Sequence, residues 1–146
     1  MDVEPSEYHY HTHLAWTKGK KGVLQSQGKP DIEVACPPEF GGHPNIWSPE
    51  DLFLASIEVC TMTTFLHYAE LTEMHVSSYA SQATGSVQMV DNLFTFEKIT
   101  LEIQIQVATE RDKKKVERVF KHIHKSCLTS HSISGTVDYN LTITVG

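Results

Sequence analysis

The chain has 146 residues, of which 40% are hydrophobic, and this length suits one compact domain over residues 1–146. Its formal charge is −6, because 18 acidic residues outnumber 12 basic ones, and this balance argues against nucleic-acid binding, which requires clustered basic side chains. The sequence shows neither a secretory leader nor a run of the roughly 18 apolar residues that a membrane span requires, so we expect a soluble, cytoplasmic protein with no membrane contact.

The first part of the chain predicts a β-meander. Residues 8–16 mix β-forming residues with alternating histidines, and a glycine-rich turn follows at 17–22. Two further short strands are expected at 23–26 and 31–35. The N-terminal segment is therefore predicted to form antiparallel strands before the first helix.

Three histidines of the first predicted strand would share one face: His9, His11 and His13. Imidazoles bind metals, but residues two apart on a strand lie roughly 6.5–7 Å from each other, and a metal site usually needs ligands from elsewhere. Three later histidines are not gathered into one site by helical spacing: His122, His124 and His131. We expect no bound metal, and a His/Cys metal-binding protein is one alternative interpretation.

A loop followed by a long helix is predicted next. Two proline breaks, at Pro37-Pro38 and at Pro44, and a glycine pair make residues 37–45 a loop. Ser48 suits the N-cap, a proline follows at the first helical position, and Glu50 and Asp51 meet the partial positive charge of unpaired N–H groups in the first turn. The helix is expected over 49–70, and its apolar surface is wide enough for packing on more than one side.

The second half of the chain predicts a hairpin. Residues 76–90 and 93–107 alternate in hydrophobicity on either side of Asp91-Asn92. The period of two is clearest at 99–107, which indicates one buried and one polar face.

A second helix and a last strand complete the predicted order. The helix is expected from a cap at Thr109 to Cys127, with an apolar seam that ends at this cysteine, and residues 136–145 alternate as a closing strand. The order of strands, helix, two strands, helix and strand predicts an α+β fold.

The three cysteines, Cys36, Cys60 and Cys127, are sparse and lack C-x-x-C spacing, which fits a reducing compartment in which a disulfide is transient. Cys60 and Cys127, on two helical segments, can form a redox couple. Packing is the more frequent role of cysteines on apolar helix faces, and it remains the structural interpretation of Cys36. Because Cys60 lies about three turns into its helix, its thiolate needs a cation other than the helix end.

The order of elements and the residues around both thiols resemble the OsmC/Ohr family, the osmotically inducible and organic hydroperoxide resistance proteins. The first motif is Gly41-Gly42 followed by Ser48-Pro49-Glu50-Asp51-Leu52-Phe53-Leu54-Ala55 and Cys60-Thr61-Met62-Thr63. The second is Ser126-Cys127-Leu128-Thr129-Ser130, which is similar to the family's second-cysteine segment. The resemblance covers nearly the whole chain.

The resemblance implies an OsmC-like fold in an intertwined homodimer, with central helices packed on sheets and two interface sites that reduce hydroperoxides to alcohols. Cys60 would attack the peroxide and become a sulfenic acid, and Cys127 would capture it as a disulfide. An external dithiol, lipoyl-type or carried by a lipoylated protein, would reopen the disulfide. No bound cofactor is implied.

This sequence departs from the family at the cation. The family's organic-hydroperoxide branch uses an arginine from the loop after the first strand, held by the helix-start glutamate, which here is Glu50. Here the loop reads Gly19-Lys20-Lys21-Gly22, and the chain's two arginines, Arg111 and Arg118, lie in the second predicted helix. Lys20 is the best match and Lys21 its neighbour. Because an ammonium lacks the planar fork of a guanidinium, we expect weaker or differently directed peroxidase activity.

The main alternative is a non-enzymatic member of the family that binds a small ligand or senses oxidants at the interface pocket, and the lysine favours it. Two histidines, His43 and His67, are interpreted as a loop residue and a core residue, and Glu58 as an interface or surface group. The substrate and the natural reductant stay open at this stage.

Overall fold

The computed structural model describes residues 6–146 and divides the chain into two compact units, one that ends at Leu52 and one over Phe53–Gly146. The order of strands, helix, two strands, helical segment and strand agrees with the α+β prediction. The organisation as one domain stays a prediction.

The first unit contains an antiparallel sheet in the order β1-β2-β3. The strands are β1 (His13–Trp16), β2 (Lys21–Gln25) and β3 (Ile32–Ala35). A single turn of 3₁₀ helix follows at Pro38–Phe40. The meander predicted from the sequence is therefore confirmed.

The predicted first strand over 8–16 is too long. Strand pairing starts at His13, opposite Gln25, because the partner strand ends there and turns away. His9 and His11 precede β1 and so do not share a strand face with His13. The three histidines therefore do not form the shared strand face that was predicted from the sequence.

The long helix α1 (Pro49–Leu71) begins at a reciprocal cap. Ser48 N donates to Asp51 Oδ2 at 3.0 Å, and Asp51 N donates to Ser48 Oγ at 3.1 Å. Each bond satisfies a backbone N–H that has no partner within the helix. The predicted helix start is confirmed.

The second unit is built on a sheet in the order β4-β5-β6. The hairpin strands β4 (Val76–Val90) and β5 (Leu93–Val107) are antiparallel, and β6 (Thr136–Val145) pairs parallel to β5. The residues between the strands of the hairpin, Asp91 and Asn92, have φ values of 50° and 65°, as the mirror-image hairpin turns require.

One face of β5 forms the centre of the core, with five buried alternate residues: Ile99, Leu101, Ile103, Ile105 and Val107. The buried residues of α1 recur every four positions: Ile57, Thr61, Phe65 and Ala69. The expected packing of α1 on more than one side is not reached within one chain, because Val59 and Leu66 are 57% and 39% exposed. The buried stripe is narrower than the apolar surface of the helix.

The predicted second helix is broken into three segments: α2 (Glu110–Phe120), α3 (Ile123–Ser126) and α4 (Leu128–His131). Cys127 is extended, with φ −82° and ψ 109°, so it joins α3 to α4 instead of ending one continuous helix. Four of the seven residues 126–132 are Ser or Thr, whose hydroxyls favour caps and turns over helix interiors. The predicted apolar seam is nevertheless present across the three segments, because Ile123 and Cys127 are both buried.

Helix α1 is also long and apolar enough, by length and composition, to cross a membrane, with 23 residues and a mean hydropathy of 1.3. The sequence-based statement concerned a continuous apolar run, and Glu58 with several Ser and Thr residues interrupts such a run in α1. Core helices of soluble proteins pass the same test, and α1 places one face in the core of the second unit.

Candidate active site

Cys127 lies at the junction of α3 and α4 with a fully buried side chain. Three hydroxyl groups surround its sulfur. Ser130 Oγ donates to Cys127 Sγ at 3.3 Å, and the hydroxyl oxygens of Thr129 and Thr61 lie 3.5 Å and 3.8 Å away. The thiol is therefore buried among polar partners and not among hydrocarbon alone.

These partners change the acidity of Cys127. Burial raises the pKa of the thiol, but the hydroxyls of Ser130 and Thr129, the backbone N–H of Ser130 and the side chain of Cys60 lower it more, to about 7. Hydrogen bonds to a charged form favour that form. These partners therefore favour the thiolate form of Cys127 over that of an ordinary cysteine.

Cys60 lies on α1 next to Thr61, and its side chain is half-buried. Because the Cys60 side chain is among the groups that lower the pKa of Cys127, the structure brings the two predicted redox residues near each other. All three cysteines are free thiols. Of the pair, Cys60 is the one that solvent reaches.

Two tyrosines complete the surroundings of Cys127. Tyr139 Oη lies 3.0 Å from Ser130 Oγ, and the pKa of Tyr139 is raised, first by burial and then by the charge of Cys127. Burial, with the charges of Glu58, Tyr139 and Cys127, also raises the pKa of Tyr79, whose buried hydroxyl has no partner among residues 6–146. Both tyrosines stay protonated at neutral pH.

Glu58 was expected to be an interface or surface group, and a place at an interface between chains stays a prediction. Its side chain is half-buried and accepts a hydrogen bond from Ser81 Oγ on β4. Glu58 therefore belongs to the polar cluster that includes Tyr79.

Sequence reasoning assigned no role to Thr61, Thr129 and Ser130, although they lie in the two quoted motifs. It did not single out the other residues of the cluster: Tyr79, Ser81 and Tyr139. Two signals were present. The segment 126–132 is dense in hydroxyl residues, and Tyr139 takes a core-facing position in the alternation of the last strand, between Val137 and Leu141.

The first unit contains the other two predicted site residues. Lys20 Nζ donates to Phe40 O at 3.2 Å, and Cys36 Sγ donates to the same carbonyl at 3.6 Å. One carboxylate oxygen of Glu50 is buried without a hydrogen-bond partner in the described residues. Within that same part of the chain, the structure does not pair Lys20 with Glu50.

Two cavities lie beside these residues. One, of about 590 Å³, is lined by Glu50 and by the loop before it, including His43 and Trp47. The other, of about 570 Å³, has mainly apolar walls with Lys20 and Lys21 among the lining residues. Either cavity has room for a small organic molecule.

Two histidines were interpreted from the sequence as a loop residue and a core residue, His43 and His67. Lys20 N donates to His43 Nε2 at 3.3 Å, and His67 is exposed with its ring against Tyr68, so the prediction of His67 as a core residue is wrong. Among the residues that the structure describes, no three His, Cys, Asp or Glu side chains are arranged to hold a metal ion.

The family profile described as OsmC-like protein matches residues 42–142. Because this match covers more than half of the chain, the protein belongs to the OsmC/Ohr family of OsmC-like proteins. The resemblance noted from the two cysteine motifs is thus confirmed.

Individual relatives are distant in sequence and close in fold. YmaD of Bacillus subtilis (strain 168) is 21% identical over 145 residues, which cover 96% of each chain. An OsmC-like protein of Vibrio cholerae has a TM-score of 0.85 at 17% identity and covers 93% of this chain and 100% of its own. An organic hydroperoxide resistance protein of Elizabethkingia anophelis has a TM-score of 0.71 at 21% identity. The match covers 97% of this chain and 99% of that protein's chain. These likenesses establish an OsmC-like fold.

Proposed function

We propose that the protein is a thiol-dependent peroxidase that reduces organic hydroperoxides. The experiment below also measures its activity on hydrogen peroxide. The observation that carries the proposal is the pairing of a half-buried Cys60 with a fully buried Cys127 of lowered pKa. A substrate can reach the first thiol, and the second can react only with what the first presents. The solved structures named as organic hydroperoxide resistance proteins support the substrate class.

The reaction runs in three steps. The thiolate of Cys60 attacks the peroxide oxygen, the O–O bond breaks, and the alkoxide takes a proton to leave as alcohol, which makes Cys60 a sulfenic acid. The thiolate of Cys127 then attacks the Cys60 sulfur, a disulfide forms and hydroxide leaves. An external dithiol, of lipoyl type, reduces the disulfide by exchange.

The cation for the Cys60 thiolate is proposed to be Lys20, with Glu50 as its anchor. Here Lys20 is bonded to the Phe40 carbonyl instead, so this role requires the ammonium to change partner. The same observation favours a second function, in which the protein binds a small ligand or senses oxidants without turnover. We further propose a homodimer in the cytoplasm, where reducing conditions can regenerate the thiols.

Stopped-flow oxidation of the reduced protein by cumene hydroperoxide and by hydrogen peroxide tests the proposal, with mass spectrometry of the Cys60–Cys127 disulfide. Fast oxidation by the organic peroxide, lost in Cys60→Ser and kept in Cys36→Ser, supports the peroxidase. Oxidation no faster than that of free cysteine rejects it and supports the binding or sensing function.

A further inference from the structure

The hydroxyl protons near Cys127 determine which of its neighbours donate hydrogen bonds to the sulfur. Ser130 has a single hydroxyl proton, and it donates this proton to Cys127 Sγ at 3.3 Å. Tyr139 Oη lies 3.0 Å from the same serine oxygen. Because the serine proton is already directed at sulfur, Tyr139 must be the donor of the second bond. A chain of donors therefore runs from Tyr139 through Ser130 to the sulfur.

Thr61 differs from Ser130 although it lies beside the same sulfur. Its hydroxyl donates to Ile57 O at 2.7 Å, so toward Cys127 Sγ, 3.8 Å away, it can only accept. Thr61 can therefore accept a hydrogen bond only from the protonated thiol, whereas Ser130 donates a hydrogen bond that stabilises the thiolate. Thr129, at 3.5 Å, has a hydroxyl that is free to donate in the same direction.

The groups that titrate near Cys127 come from three elements. They are Cys60 on α1, Tyr79 on β4 and Tyr139 on β6, and Glu58 on α1 lies behind Tyr79. None of these four groups is cationic, and the carboxylate of Glu58 opposes a second negative charge. Neutral donors must therefore stabilise a thiolate at this position.

We propose that Tyr139 and Ser130, with Thr129, act as positioning residues that hold Cys127 as the resolving thiolate before any peroxide arrives. The kinetic consequence of this inference rests on the proposed peroxidase function. The ionisation of Cys127 does not depend on it. When Cys60 becomes a sulfenic acid, Cys127 S⁻ attacks its sulfur, the S–S bond forms, the S–O bond breaks, and hydroxide leaves and is protonated by water. Because Cys127 is already deprotonated, no base has to remove its proton before the attack. Disulfide formation is therefore fast at neutral pH and slower at lower pH, where the thiol is protonated.

The ionisation is measured first, in a protein whose only cysteine is Cys127 through the changes Cys36→Ser and Cys60→Ser. Thiolate absorbance at 240 nm, followed against pH, gives the midpoint for this parent and for Ser130→Ala and Tyr139→Phe. We expect Ser130→Ala to raise the midpoint by roughly one pH unit and Tyr139→Phe by less, because its effect passes through the serine. Ser132→Ala is the matched control, since Ser132 bonds to a backbone carbonyl and not to sulfur.

The kinetic consequence is measured in single turnover with both cysteines present. In Ser130→Ala, disulfide formation should slow roughly fivefold at pH 7 and recover at pH 9, while the consumption of peroxide by Cys60 slows less. Recovery at high pH separates a lost thiolate from a distorted fold, and Ser130→Thr, which restores a hydroxyl, guards against misfolding of the alanine variant.

The outcomes separate two failures. Unchanged midpoints in both Ser130→Ala and Tyr139→Phe, or slowing of both kinetic phases at every pH, overturn the positioning role. Absence of peroxide consumption in the unmodified protein overturns the proposed function alone, because the 240 nm titration still decides whether the donor chain holds a thiolate.

Discussion

Thr61 Oγ1 lies 3.8 Å from Cys127 Sγ, although 66 residues separate them in the chain. Both side chains are fully buried. This contact fixes which face of α1 meets the junction of α3 and α4, and it places the residue before Thr61, Cys60, beside the second thiol.

Removal of the second thiol should stop the cycle after one turnover. In Cys127→Ser, Cys60 should still react with one equivalent of peroxide, but the sulfenic acid has no thiol partner and accumulates. Labelling with dimedone and mass spectrometry would detect it. The matched control is Cys36→Ser, which should form the disulfide normally, and a disulfide that needs Cys36 would contradict the assignment.

Removal of the Lys20 charge tests the proposed cation. If the ammonium stabilises the Cys60 thiolate, Lys20→Ala should slow oxidation of Cys60 by cumene hydroperoxide roughly tenfold. Lys18→Ala, in the same turn, serves as control. Equal oxidation rates in the Lys20 variant and the unmodified protein would argue against a catalytic lysine.

The carboxyl group of Asp112 is expected to make the free energy of unfolding decrease at acidic pH. Its burial raises the pKa, but a hydrogen bond from Thr109, one from the backbone of His75 and nearby positive charges lower it below the usual 3.8. A carboxyl with a lower pKa in the folded chain contributes stability above the unfolded value and loses it as the pH falls through the folded one.

We therefore expect the free energy of unfolding to decline as the pH drops below 3.8, and to decline less in Asp112→Asn, which should also be less stable at pH 7. Urea unfolding at a series of pH values measures this. Glu110→Gln, an exposed acid in the same helical turn, should retain the full decline. Parallel curves for Asp112→Asn and the unmodified protein would contradict the expectation.

Gly42 should tolerate no side chain. A Cβ atom there would lie 1.7 Å from the carbonyl oxygen of Cys36, so the loop would have to open. Gly42→Ala is expected to lose about 3 kcal/mol in urea unfolding. At Gly28, with φ +76° and nothing within 4 Å of the added atom, alanine should cost only about 1 kcal/mol through backbone strain. Similar losses at both positions would show that the Cys36 carbonyl moves freely.

The exposed apolar side of α1 tests the proposed homodimer. If Leu66 is covered by a second copy, Leu66→Asp should reduce the mass in light scattering to that of a single chain, 16.4 kDa. Leu128→Asp, at an exposed leucine off this helix, should leave the mass unchanged. A single-chain mass for the unmodified protein would reject the dimer.

Local patterns in the sequence were sufficient for much of the fold. Period-two alternation located β5, the turn residues Asp91 and Asn92 located the hairpin, and Ser48 located the start of α1, because each signal acts over a few residues. The start of β1 was placed too early, because strand length there depends on where its partner turns away.

The candidate site was only partly accessible to the same reasoning. Both redox cysteines were found from their flanking motifs, but the donor chain to Cys127 joins Tyr139 on one strand to Ser130 on a short helix. No local pattern encodes that meeting, since it depends on the register of a parallel pair and on the helix break at Lys121–His122.

The parallel pairing of β5 with β6 has a consequence for synthesis of the chain. Tyr139 sits opposite Leu101 in that pair, and the connection that makes the strands parallel carries Cys127 itself. A ribosome therefore synthesises Cys127 and Ser130 before the tyrosine that completes their donor chain. A chain interrupted between Cys127 and Tyr139 lacks that donor, so the acidity of Cys127 is acquired only after β6 has been made.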